Sequence, residues 1–338
     1  MSSAPTADVI ARDATWLVQA LDPTQGMARL IAMDRASYRE GSFLDDRMLQ
    51  VPVDAQIVSW DVVEEAAGAT SRQDARWIFH IGHVGSTLVS RLLGELPAVL
   101  ALREPRILRD VALTPSDIRH RYVAPIPKLM SRTFGDGEIA CVKATSFASE
   151  IAPDLVPNGE RALLMYASPR NYIASILAGE NSVKELLALE TSRAERISSR
   201  IPSLGEPQQN DAHRAAAAWA CEMTSLELAA ERMANRHIVW ADFDRMLSDI
   251  SQAVESVANH FGFAAEPDEV RAIANGPLMS RYSKATEYDY SPALRRELIA
   301  DAERQHSRDI ADALAMLDRA AQDSPLLARA LTRSASEA

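Results

Sequence analysis

The sequence is short of several things, and each shortage narrows what the chain can be. It has only two cysteines in 338 residues. Cys141 and Cys221 sit in apolar or helical surroundings with no partner at metal-ligand spacing, so neither a disulfide scaffold nor a cysteine metal site is expected; both read as reduced packing residues. Basic charge is in deficit, with a net charge of −11, which excludes the extended basic surface of a general nucleic-acid binder. The stretch 76–184 alone is slightly basic. No apolar run approaches the roughly 20 residues a membrane helix requires, and no basic start leads into an apolar segment. The expectation is a cytoplasmic protein that engages neither nucleic acid nor membrane.

What is present is a core-forming composition, 47% hydrophobic, arranged in two ways. Residues 1–75 contain short strand-like pieces, "ATWLVQALDP", "MARLIAMD" and "AQIVSWDVV", and are expected to form an N-terminal extension or cap. From residue 76, apolar runs alternate with helical segments, the signature of a parallel sheet with helices on both faces. The runs are 77–81, 98–103, 139–144, 161–168 and 237–242, so the expected fold is α/β: a P-loop three-layer arrangement with a central parallel sheet of about five strands, buried on both faces. A helical insertion over about 182–235 separates the last two runs. It includes a long helix with Asp211 as its expected cap, and a helical C-terminal part follows, with Ser291 and Pro292 opening one of its helices.

The most informative stretch is "WIFHIGHVGSTLVSRLL". A strand, then Gly82, Gly85, Ser86 and Thr87, then a helix beginning "LVSRLL", aim backbone N–H groups and a helix N-terminus at one point, a natural phosphate site. An ATP-hydrolysing loop would carry a lysine before its Ser/Thr, reaching the β and γ phosphates. Here Gly85 occupies that place.

"GHVGSTL" resembles the 5′-phosphosulfate loop of the sulfotransferases that use 3′-phosphoadenosine 5′-phosphosulfate (PAPS), nearest to the tyrosylprotein-type branch and its bacterial relatives. The resemblance spans roughly residues 77–290. It implies that Gly82, His83, Val84, Gly85, Ser86, Thr87 and Leu88 cradle the nucleotide, with PAP as the product and no metal required. The family's catalytic glutamate, nineteen residues after the loop glycine, is matched by Glu104, with Arg106 two residues on. A lysine ending the third strand is matched by Lys143, and the serine that opens the helix after the fourth strand and binds the 3′-phosphate by Ser175. A late basic loop is matched by Arg281 and Lys284. Two positions depart from the pattern: His83 stands where the family has a lysine or arginine, and Ala167 where it has an arginine. Arg170 is the nearby cation for the same phosphate.

Each residue also has a plainer role. Glu104 is either the base or a helix cap or salt-bridge partner of Arg103 or Arg106; its place at a strand end favours the base. Lys143 either stabilises charge on the bridging oxygen or is a solvated strand-edge lysine. His83 either donates to that oxygen or orients backbone, and His80 reads as a satisfied core residue. Ser86 and Thr87 both cap and bind. Arg281 and Lys284 are otherwise solvated loop charges.

The leading expectation is sulfuryl transfer to a hydroxyl or amine of a small-molecule, carbohydrate or peptide acceptor. The alternatives are a nucleotide-dependent phosphotransferase, with Glu104 or Asp242 holding magnesium, and a non-catalytic nucleotide-binding protein on the same fold. Neither the acceptor nor an oligomeric state is legible.

Overall fold

The computed structural model describes residues 4–280 and 291–336, so Arg281 and Lys284 lie outside the described residues. Two sheets organise the chain. The first is antiparallel, in the order β1 (Trp16–Asp22), β2 (Met27–Ala32), β3 (Ala55–Ser59). Its β1–β2 turn closes at Gly26, whose φ of 62° is the left-handed conformation that glycine adopts without steric cost. The Asp22 carboxylate accepts from the Thr24 and Gln25 N–H groups inside that turn.

The second sheet is parallel throughout. It consists of β4 (Arg76–His80), β5 (Val99–Arg103), β6 (Ile139–Lys143), β7 (Arg161–Tyr166) and β8 (His237–Asp242), in the order β5-β6-β4-β7-β8. The five expected strands form, with β6 and β7 ending one and two residues sooner than their apolar runs. β4 to β7 are buried along almost their whole length. β8 is not: it forms an edge, with His237 and Val239 exposed. Its apolar run reads like that of a central strand, but only one neighbour pairs with it.

On β4 the period-two alternation puts Trp77 and Phe79 on one face, their rings stacked at 6.0 Å. Ile78 and His80 face the other way. Burying a side chain such as Ile78 completely is worth about 1.5–3 kcal/mol, and this strand does so repeatedly.

Helices cover both faces of the parallel sheet. The insertion contributes helices at Glu180–Ala188, Glu190–Ser198 and Pro202–Gly205, and then the long helix Asp211–Arg232. The long helix is capped by Asn210, whose side chain accepts from the His213 N–H, and not by Asp211, which falls in the first turn. Its run Ala215–Ala218 combines high helix propensity with a slim surface, allowing helices to pack on several sides. Trp219 is fully buried and donates its indole N–H to the Ala167 carbonyl at 2.9 Å, fixing the helix against the end of β7. Cys141 and Cys221 are buried free thiols, each pushed up to about 12 by burial. Among the described residues no helix is long and apolar enough to cross a membrane.

Candidate functional site

The site lies at the carboxyl ends of β4, β5 and β6, where open α/β sheets bind ligands. β4 runs into a turn in which three residues are left-handed: Gly82 (φ 82°), His83 (φ 54°) and Gly85 (φ 61°). Gly85 cannot be replaced here, because a Cβ at this position would overlap the Phe243 ring. The helix Ser86–Leu93 follows with Gly85 as its N-cap and no side chain capping it, so the first-turn N–H groups have no cap from their own chain. Thr87 Oγ1 is buried there with no hydrogen-bond partner among the described residues. A helix start with uncapped donors and an orphaned hydroxyl suits an anionic group such as phosphate or phosphosulfate.

This loop opens into a cavity of about 380 Å³, within the usual size range of ligand pockets. Gly82, His83, Gly85, Ser86, Thr87 and Leu88 line it, whereas Val84 turns into the core. Glu104 and Lys143 line it from the ends of β5 and β6. They are adjacent because Arg103 and Lys143 are register partners, and the Glu104 N–H continues the ladder to the Lys143 carbonyl at 2.7 Å. Their side chains form an ion pair and hydrogen bond between Nζ and Oε1. Lys143 is buried and Glu104 nearly so.

Glu104 sits at φ 51°, a left-handed conformation that costs a residue with a Cβ about 1–2 kcal/mol. The strain turns the chain out of β5 into the helix Arg106–Leu113 and aims the carboxylate at the cavity. Strain of this kind concentrates where geometry serves function.

His80, expected to be a satisfied core residue, is buried but faces the cavity. Its Nδ1 accepts from the Gly82 N–H at 2.9 Å, which leaves the ring hydrogen on Nε2, 3.9 Å from Glu104 Oε1. His83 Nε2 lies 3.5 Å from Glu185 Oε2, and its ring meets Tyr172 edge-on.

The 3′-phosphate residues fall differently from expectation. The helix after β7 spans Pro169–Leu177 and is opened by Ser168, which accepts from the Asn171 N–H, with Pro169 at its first position. Ser175 therefore sits in the last turn and does not open the helix, though it does line the cavity; its hydroxyl donates to the Tyr172 carbonyl at 2.8 Å. Arg170 is exposed and does not line the cavity. Nor does Arg106, which pairs with Asp46 and Asp110.

Four contributors carried no signal in the sequence. Phe43 and Arg47 reach the cavity from the N-terminal part, stacked at 3.2 Å, with Arg47 3.9 Å from Glu104 Oε2. Leu44 anchors them by hydrogen-bonding to the end of β5 through the Arg103 carbonyl, at 2.7 Å. From the other side come Phe243 and Arg295. Arg295 lies over the Phe243 ring and pairs with Asp244 at 3.2 Å, and its buried Nε has no hydrogen-bond partner among the described residues. Asp244 also accepts from Asn171, so three segments meet there.

Both carboxylates suggested for magnesium are otherwise engaged. Glu104 pairs with Lys143, and Asp242 caps the helix Phe243–Met246 through the Asp244 and Arg245 N–H groups. Among the described residues no group of three or more His, Cys, Asp or Glu side chains is placed to hold a metal ion.

No protein-family model matches the chain, and no curated protein matches it. Among solved structures, a sulfotransferase domain from the curacin biosynthetic pathway is similar over 72% of this chain and 97% of its own, at 11% identity and a TM-score of 0.39.

Proposed function

We propose that the protein is a sulfotransferase that moves the sulfuryl group of PAPS to a hydroxyl or amine acceptor by direct in-line transfer. The observation that carries this reading is the Lys143–Glu104 pair at neighbouring strand ends, beside a glycine loop that lacks the lysine of ATP-hydrolysing loops. It places a cation and a base side by side, one for each end of an in-line displacement.

PAPS would supply an activated sulfuryl group on its 5′-phosphate. The uncapped N–H groups of the Ser86–Leu93 helix, with the Ser86 and Thr87 hydroxyls, hold the 5′-phosphosulfate end. Lys143 Nζ, which lines the cavity beside the loop, would stabilise the negative charge that grows on the bridging oxygen as the sulfur–oxygen bond breaks. Glu104 takes the proton of the acceptor as the new bond to sulfur forms, so PAP leaves carrying the electron pair. The His80 Nε2–H, held in one tautomer by the Gly82 N–H, faces the Glu104 carboxylate. His83, within the loop, is a second donor for the bridging oxygen.

With Ala167 at the usual arginine position and Arg170 turned outward, Arg295 becomes the described cation for the 3′-phosphate, together with Ser175. Arg281 and Lys284 remain candidates for the same role. The acceptor enters past Phe43 and Arg47, so the N-terminal part helps to shape the acceptor side.

The test is turnover of PAPS carrying a radiolabelled sulfuryl group against pooled hydroxyl and amine acceptors in the presence of a chelator. Label transfer that survives chelation and is lost in Glu104→Gln supports the reading. A strict magnesium requirement, with phosphoryl transfer from ATP, would replace it with the phosphotransferase reading.

A further inference from the structure

A second cavity, of about 410 Å³, opens at the β5 edge of the parallel sheet and shares no lining residue with the first. Its walls carry four arginines, Arg35, Arg39, Arg91 and Arg103, against two glutamates, Glu40 and Glu95.

Arg103 is the unusual member. It is 1% exposed, and among the described residues its guanidinium donates to backbone carbonyls: Nε to Gly41 at 2.7 Å, and Nη2 to Tyr38 and to Arg39. No carboxylate among the described residues lies within ion-pair distance of it. These carbonyl dipoles accept from its Nε and Nη2 but leave its net charge uncompensated. Burial, together with the neighbouring Arg91, pushes the group down to about 10.

Arg91 brings a second, largely buried guanidinium to the same wall, donating to Ser42 Oγ at 2.6 Å and more weakly to the Glu40 carbonyl. Arg39 stands at the mouth, 63% exposed and 4.0 Å from Glu95 Oε1. Arg35 is held by Glu138.

We propose that this cavity binds a dianionic oxoanion group, a phosphate or sulfate carried either as the free anion or as a monoester. Guanidinium forks match the oxygen geometry of such groups and form charge-assisted hydrogen bonds with them. A dianion between Arg39, Arg91 and Arg103 supplies the negative charge that the buried Arg103 lacks.

The site is also well placed to bear on the first cavity. The carbonyls that Arg103 holds, those of Tyr38, Arg39 and Gly41, belong to the segment leading to Phe43 and Arg47, and Arg103 itself directly precedes Glu104. The proposal rests on none of the sulfotransferase reading.

The experiment is calorimetry and thermal unfolding of the full chain with inorganic phosphate, inorganic sulfate and glycerol 3-phosphate, with chloride setting constant ionic strength. A saturable component is expected that Arg39→Gln and Arg91→Gln each weaken by about 10-fold, the loss of one charge-assisted contact. Glu95→Gln should tighten it several-fold by removing the carboxylate that competes for Arg39, an effect a purely structural arginine cluster would not show. Lys143→Met, in the other cavity, should leave it unchanged. Tighter binding of glycerol 3-phosphate identifies a carried monoester, and equal affinity the free anion. Absence of any saturable component overturns the proposal. So does a titration whose only saturable component survives both arginine changes, or is lost in Lys143→Met, since that component belongs to the glycine loop. Should Arg91→Gln fail to fold, Arg39→Gln and Glu95→Gln, both at the cavity mouth, decide the matter.

Discussion

Replacing Glu104 in turn by Gln, Ala and Gly separates chemistry from backbone strain at one position. Gln keeps an oxygen for the buried Lys143 ammonium but removes basicity, so turnover should fall by about 10²-fold or more with little change in nucleotide affinity. Ala and Gly both strip the lysine of its carboxylate. Breaking a buried pair this way costs about 3–5 kcal/mol, here toward the lower end because Glu104 keeps some solvent contact.

The difference between the last two variants isolates the conformation. At φ 51° alanine keeps a steric cost of about 1–2 kcal/mol that glycine does not have. Glycine loses about 0.4–1 kcal/mol through its freer unfolded chain. The Gly variant should therefore be more stable than the Ala variant by about 0.5–1 kcal/mol, against the ordinary order of the two residues. Urea unfolding followed by circular dichroism measures this. An Ala variant as stable as the Gly variant would refute the claim that the Glu104 backbone is strained, and with it the argument that the strain aims the carboxylate.

Three further outcomes are expected. Gly85→Ala should abolish nucleotide binding and destabilise the fold, because the new methyl collides with the Phe243 ring; adding Phe243→Ala should recover part of the stability, and denaturant midpoints of the single and double variants check this. Lys143→Met should lower turnover and also weaken nucleotide binding in calorimetry, because a cation beside the bridging oxygen acts in ground and transition states alike. Glu222 is buried, which alone would raise its pKa, but Arg196 and Arg193 outweigh that and hold it below the ordinary carboxylate value. Its contribution is thus present above the unfolded-state pKa and lost as pH falls through the folded-state one, so Glu222→Gln should flatten the acid limb of a stability–pH profile.

The parallel sheet was legible because strands buried on both faces leave unbroken apolar runs, and Gly82 and Gly85 were legible because left-handed turns favour glycine. Glu104 and Lys143 were singled out by the family resemblance, and the parallel register of β5 and β6 brings those two strand ends together. Phe43, Arg47 and Arg295 were not legible. Each is an ordinary residue on an ordinary segment, and only packing between distant parts of the chain carries it into the cavity. Ser168 could have been found: the Ser168-Pro169 pair carries the same helix-start signature as Ser291-Pro292, where Ser291 does cap its helix by accepting from the Leu294 N–H. Reading it would have put Ser175 in the last turn. His80 looked like core because burial and function are compatible for a histidine whose one nitrogen accepts from a loop N–H while the other faces a carboxylate.

The most direct test of the central claim is calorimetric titration of the full chain, without magnesium, with adenosine 3′,5′-bisphosphate, 5′-AMP, ADP and ATP. A site built around a 3′-phosphate and a 5′-phosphosulfate should bind the bisphosphate at least about 10-fold more tightly than 5′-AMP, the worth of one charge-assisted phosphate contact, and more tightly than ADP or ATP. Arg295→Gln should erase most of that preference. Equal affinity for the bisphosphate and 5′-AMP, or tighter binding of ATP, would contradict the account.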